Sequence, residues 1–116
     1  MPTKLELLLM LFYSNLNRES LNTRIAINDF IENYHHSLKI KATVVNYERE
    51  KYICHQYGVT GIPTLLIFLN QELVGRYYGE ITSTEIEAIV QNNLKGRNKI
   101  KDEPEERTEE KNRMNS

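Results

Sequence analysis

The chain has 116 residues, a formal net charge of −1 and a single cysteine. A domain of that length buries enough surface to fold without staples, and its near-neutral charge gives no general pull toward nucleic acid or an anionic membrane. One thiol excludes an internal disulfide, so nothing calls for an oxidising compartment.

The amino-terminal run MPTKLELLLMLFYS is too short to span a bilayer and has no small-residue cleavage site behind it, so a mature cytoplasmic protein is expected. From Leu5 to Phe12 the sequence is nearly continuous apolar, as in a strand buried on both faces. SNLN breaks the run, and Asn15 or Asn17 is suited to cap a helix. From Ser20 to Tyr34 the residues Leu21, Ile25, Phe30, Ile31 and Tyr34, with Ile27 on the same side, recur at roughly helical spacing and are expected to face a core. Lys41–Tyr47 reads as a second strand, and Glu50–Tyr57 as a short helix with Gly58 beyond its end, where positive φ is wanted.

After GVTGIP, Thr64–Leu69 and Leu73–Tyr78 read as strands joined by Asn70-Gln71, a loop short enough to make them antiparallel neighbours. Thr82 and Glu85 fit a capping box opening a last helix, whose stripe is Ile86, Ile89, Val90 and Leu94. The order is β-α-β-α-β-β-α. Beyond Leu94 the sequence is almost wholly charged and polar. Residues 1–94 are read as the folded domain and 95–116 as a disordered charged tail, with room for a helical extension near Lys95.

Few residues carry evident chemistry. Cys54 sits on the short helix, where a free thiol most simply serves as a small buried hydrophobe. His35 and His36 are neighbours that point about 100° apart on a helix, so they chelate poorly, and no zinc spacing links them to His55 or Cys54. No metal and no cofactor are expected. The aromatic residues lack a basic face, which removes nucleic acid as a partner. Tyr77 and Tyr78 alternate on a strand, so one of them is expected to be exposed.

The run VNYEREKYICHQYGVTGIPTLLIFLNQELVGRYYG resembles the second half of a thioredoxin, its most specific part being GIPT after a helix that ends in YG. The resemblance implies an α/β thioredoxin-like fold, a four-stranded mixed sheet flanked by three helices, without the family's N-terminal strand and helix. It also implies a cis bond between Ile62 and Pro63, beside a groove where the backbone before the proline pairs with an extended client. In that register Asn17-Arg18-Glu19-Ser20 stands where the family has Cys-x-x-Cys. The family's buried aspartate and lysine become Leu11 and Val44. Disulfide exchange needs a thiolate, which neither an amide nor an unactivated hydroxyl replaces.

The resemblance therefore implies a thioredoxin-like chain without dithiol catalysis, more simply a binding module than an enzyme. A protein or extended peptide is the expected partner, held by Tyr13, Asn17, Arg18, Ser20, Gly61, Ile62, Pro63 and Gly79 as a chaperone or assembly factor would hold it. Asn17 and Ser20 also have the plainer role of helix caps. The alternatives are a glutathione-type ligand, with Tyr13, Ser14 or Ser20 at its thiol, and redox through Cys54 as a lone thiol. No membrane partner is expected, and a monomer is compatible with all of these features.

Overall fold

The computed structural model describes residues 5–34 and 38–102, the last six of these by backbone alone. Its first strand, β1 (Leu5–Tyr13), uses both faces, as an unbroken apolar run should. Leu7, Leu9 and Leu11 are buried in one layer and Phe12 in the other. The remaining elements are α1 (Arg18–Asn33), β2 (Leu38–Asn46), α2 (Lys51–Gln56), β3 (Thr64–Leu69), β4 (Glu72–Tyr78) and α3 (Ser83–Asp102). Their order is the expected β-α-β-α-β-β-α, and the sheet order is β2-β1-β3-β4. β1 is parallel to β2 and antiparallel to β3, which is antiparallel to β4, so the sheet is mixed.

The larger layer joins Leu7, Leu9, Leu11, Leu65, Ile67 and Leu69 of the sheet to Ala26, Ile27 and Phe30 of α1 and Ile86 and Val90 of α3. Each fully buried leucine or isoleucine there contributes about 1.5–3 kcal/mol relative to exposure. On the opposite face, α2 is the one helix among the described residues, and there Phe12, Val45 and Leu66 of the sheet pack with Cys54 of α2 and Val59 beyond it. Among the described residues β2 is a sheet edge paired only with β1.

Several expectations require correction. The helix α1 begins at Arg18, two residues earlier than read, because Asn17 caps it. Leu21 and Ile25 are exposed, and the inward face is built from Ser20, Thr23, Ala26, Ile27 and Phe30. Small residues there let the helix lie close to the sheet. Thr23 satisfies its buried hydroxyl by donating to the Glu19 carbonyl at 2.9 Å, and its Oγ1 accepts from the Ile81 amide at 3.3 Å. The strand β2 starts at Leu38 and ends at Asn46, upstream of the expected span. Val44 faces solvent at 40% exposure, whereas its register partner Leu11 is wholly buried. The cost of burying a charge thus explains an apolar residue at position 11 but not at 44.

The turns carry the chemistry read from their residues. Gly58 takes φ +68° after α2, which a Cβ would make unfavourable. Asn70 and Gln71 both take positive φ, 51° and 70°, as a two-residue hairpin with strand-matched twist requires. Asn70 also exchanges bonds with Glu6, its Oδ1 accepting from the Glu6 amide and its own amide donating to the Glu6 carbonyl, both at 2.8 Å. At the start of α3, the Glu85 carboxylate accepts from the Thr82 amide at 2.9 Å while Thr82 Oγ1 accepts from the Glu85 amide at 3.1 Å, a complete capping box. The helix α3 runs through Lys95 to Asp102, so the boundary read at Leu94 falls inside it. The remaining tail, 103–116, and His35 and His36 lie outside the described residues.

Candidate functional site

The strand register gathers the candidate residues at one end of the sheet. Phe12 pairs with Thr64, and Thr64 pairs with Tyr78. The turn after β1, the loop before β3 and the residues after β4 therefore lie side by side. The Ile62–Pro63 peptide bond is cis. Pro63 is buried, with its carbonyl accepting from the Gly79 amide at 2.8 Å. Thr64 Oγ1 donates to the Gly61 carbonyl at 2.8 Å and closes the loop. From the turn after β2, the Tyr47 hydroxyl donates to the Thr60 carbonyl at 3.0 Å. Gly61, Ile62 and Gly79 remain half-buried at this surface. Among the described residues the N–H and C=O of Ile62 have no hydrogen-bond partner.

The Asn17–Ser20 turn is held by its own polar groups. Asn17 Oδ1 accepts from the Ser20 amide at 2.7 Å, the cap that starts α1. Ser20 Oγ accepts from the Ser14 amide at 3.2 Å, and Ser14 Oγ accepts from the Leu16 amide at 3.1 Å. Both serines are buried, Ser20 completely. Ser20 therefore shapes the turn and offers no surface to a ligand, which corrects its place among the binding residues. The same burial removes Ser14 and Ser20 as thiol-stabilising groups. Asn17 and Tyr13 are half-buried and Arg18 is exposed. The Arg24 guanidinium lies 4.9 Å from the centre of the Tyr13 ring, fixing that ring beside the turn.

Two residues of this end were not assigned to it from sequence. Tyr78 is 75% exposed and its ring covers Gly61, where an added Cβ would come within 2.7 Å of the ring carbon Cε1. Strand alternation signalled one exposed tyrosine of the pair, but only the close approach to Gly61 places it here. Leu16, at the tip of the turn, is 89% exposed, and no periodicity marks a loop leucine.

Cys54 lies on the α2 side, packed with Phe12, Val45, Val59 and Leu66. Burial pushes its thiol pKa up; a backbone hydrogen bond opposes this, while the Glu50 and Glu48 carboxylates add to it. The thiolate needed for nucleophilic redox chemistry is thus disfavoured. Among the described residues no cluster of three or more His, Cys, Asp or Glu side chains is arranged to hold a metal ion, and no helix is long and apolar enough to cross a membrane.

A mixed sheet of this order, with a cis proline loop beside a capped helix start, is the framework on which the family of this chain is recognised. The Thioredoxin family model matches residues 7–92. The chain belongs to the thioredoxin family. It is 30% identical over 69 residues, 60% of its length, to a thioredoxin of Buchnera aphidicola subsp. Baizongia pistaciae (strain Bp), of which it spans 62%. Similar solved structures include a malarial protein (TM-score 0.68, 12% identity, 77% of this chain and 98% of that one). Thioredoxin-2, described as a component of malaria parasite protein secretion machinery, superimposes with a TM-score of 0.67 at 12% identity, over 79% of this chain and 87% of that one. A single-substitution mutant of thioredoxin from Halobacterium salinarum NRC-1 gives a TM-score of 0.64 at 19% identity, over 74% and 73% of the two chains. At such identities these likenesses speak to fold.

Proposed function

We propose that this chain is a thioredoxin-family binding module that acts without dithiol catalysis, holding an extended segment of a protein partner across the cis-proline face. The observation that carries the reading is the half-buried Ile62, whose backbone donor and acceptor have no partner among the described residues. Backbone groups of this kind are ordinarily paired, and an added extended strand satisfies both at once. The segments that meet at this end also bring Tyr13, Leu16, Gly61, Tyr78 and Gly79, a mix of aromatic, apolar and small residues that suits side chains of varied shape. Asn17 and Arg18 supply the polar rim, and the module needs no cofactor. The chemistry of a dithiol is absent because the chain has a single cysteine, and that thiol is buried in the α2-side layer with a raised pKa.

The test is an insulin-disulfide reduction assay run beside selection from a displayed library of random nine-residue peptides. Amide shifts then map where a selected peptide sits. No disulfide turnover, and shifts at Ile62, Gly79 and Tyr13, are the expected results. Dithiol-type turnover, or shifts confined to residues away from that end, would end the reading.

A further inference from the structure

A groove of about 390 Å³ runs from Tyr77, Tyr78 and Gly79 past Glu80 and Ile81 to Glu85, Ala88 and Ile89 on α3. It begins at the residues that close the cis-proline face, because Gly79 is bonded to Pro63 and Tyr78 covers Gly61. Its floor is apolar and aromatic, while its charge is of one sign. No described Lys or Arg lines it, and Glu80 and Glu85 have no basic partner among the described residues. Glu85 spends one oxygen on the helix cap, through bonds from Thr82, and its second oxygen takes no part in that cap.

We infer that this groove selects the partner: it takes a lysine or arginine side chain of the extended segment whose backbone pairs at Ile62. A long aliphatic stem fits along Ile81, Ala88 and Ile89, and a cationic head is attracted by the Glu80 and Glu85 carboxylates. An acidic residue at the same place would meet two like charges and be rejected. The inference rests on the binding function proposed above and narrows it to clients with a basic residue at one fixed distance from the Ile62 contact.

The experiment is the same random nine-residue library, selected against the full chain and against a Glu80→Gln/Glu85→Gln variant. Glutamine keeps the oxygen that caps α3, so the variant retains the capping box, and its amide spectrum confirms the fold. The full chain is expected to enrich Lys or Arg at one position. Replacing that residue by norleucine in a selected peptide is expected to weaken binding about three- to tenfold, less at 0.5 M salt. The variant is expected to lose the enrichment. Peptides recovered without a basic preference, or a preference that survives in the variant, would overturn the groove assignment alone. Recovery of no peptide by the full chain would overturn the binding function with it.

Discussion

At the scale of single residues, the polar side chains near the turn act as structural parts. Asn17→Ala removes the cap of α1 and is expected to cost about 1 kcal/mol in denaturant unfolding. Thr23→Val keeps shape but leaves the buried Ile81 amide without its acceptor, a loss of about 1–3 kcal/mol in the same measurement. Cys54 gives a pH signature. Its thiol pKa is raised in the folded chain, so folding favours the protonated form. That contribution is complete below the ordinary value of 9.0 and is lost as pH rises through the folded value. Tyr34, raised by burial and then by Glu87, acts in the same sense at higher pH. Urea midpoints are therefore expected to fall above about pH 9, and Cys54→Ala to flatten the first part of that fall. A midpoint that is constant or rising across this range would contradict the burial of the thiol. Sequence alone narrowed the cap to Asn15 or Asn17, of which the structure uses Asn17, and read Cys54 as a buried hydrophobe. It misplaced Ser20, because a serine at a helix start looks the same whether its hydroxyl faces water or a buried amide.

At the scale of elements, what was legible depended on whether signals were local. β3 was read to the residue because its apolar run is bounded by Pro63 and the Asn70-Gln71 turn. The cap of α3 was read from Thr82 and Glu85, whose interaction spans one turn. The face of α1 was misread in part: Ile27, Phe30 and Tyr34 are buried as expected, but Leu21 and Ile25 are exposed while the smaller Ser20, Thr23 and Ala26 face the sheet. No local pattern reports how close the helix lies to the sheet. The end of α2 depends on a distant partner too: Arg76 Nη2 donates to the Tyr57 carbonyl at 2.8 Å across 19 residues of sequence. Gly61 depends likewise on the ring of Tyr78. Gly61→Ala is expected to change stability by less than about 1 kcal/mol, since the exposed ring swings aside. The same substitution is expected to weaken peptide binding, measured by titration, because the ring leaves the site; unchanged affinity would remove Tyr78 from it.

At the scale of the whole molecule, one face of the sheet carries two helices and the other only the six-residue α2, with β2 as an open edge among the described residues. An unpaired strand edge invites pairing with other chains, and lysines on it discourage that. Lys39 and Lys41 are both exposed on β2, with Lys39 Nζ 3.5 Å from Glu6 Oε2. Replacing both by threonine is expected to shift the chain toward larger species in sedimentation velocity, and an unchanged distribution of species would show that the edge is protected otherwise. The order of elements was legible in the sequence, and with it the end of the sheet at which the candidate residues gather. The most direct measurement is hydrogen exchange on the full chain alone and saturated with a library-selected peptide. Slowed exchange concentrated in the Gly61–Thr64 loop and around Gly79 is the expected result. Protection confined to the β2 edge or to the surface of α2, with the proline loop unaffected, would contradict it.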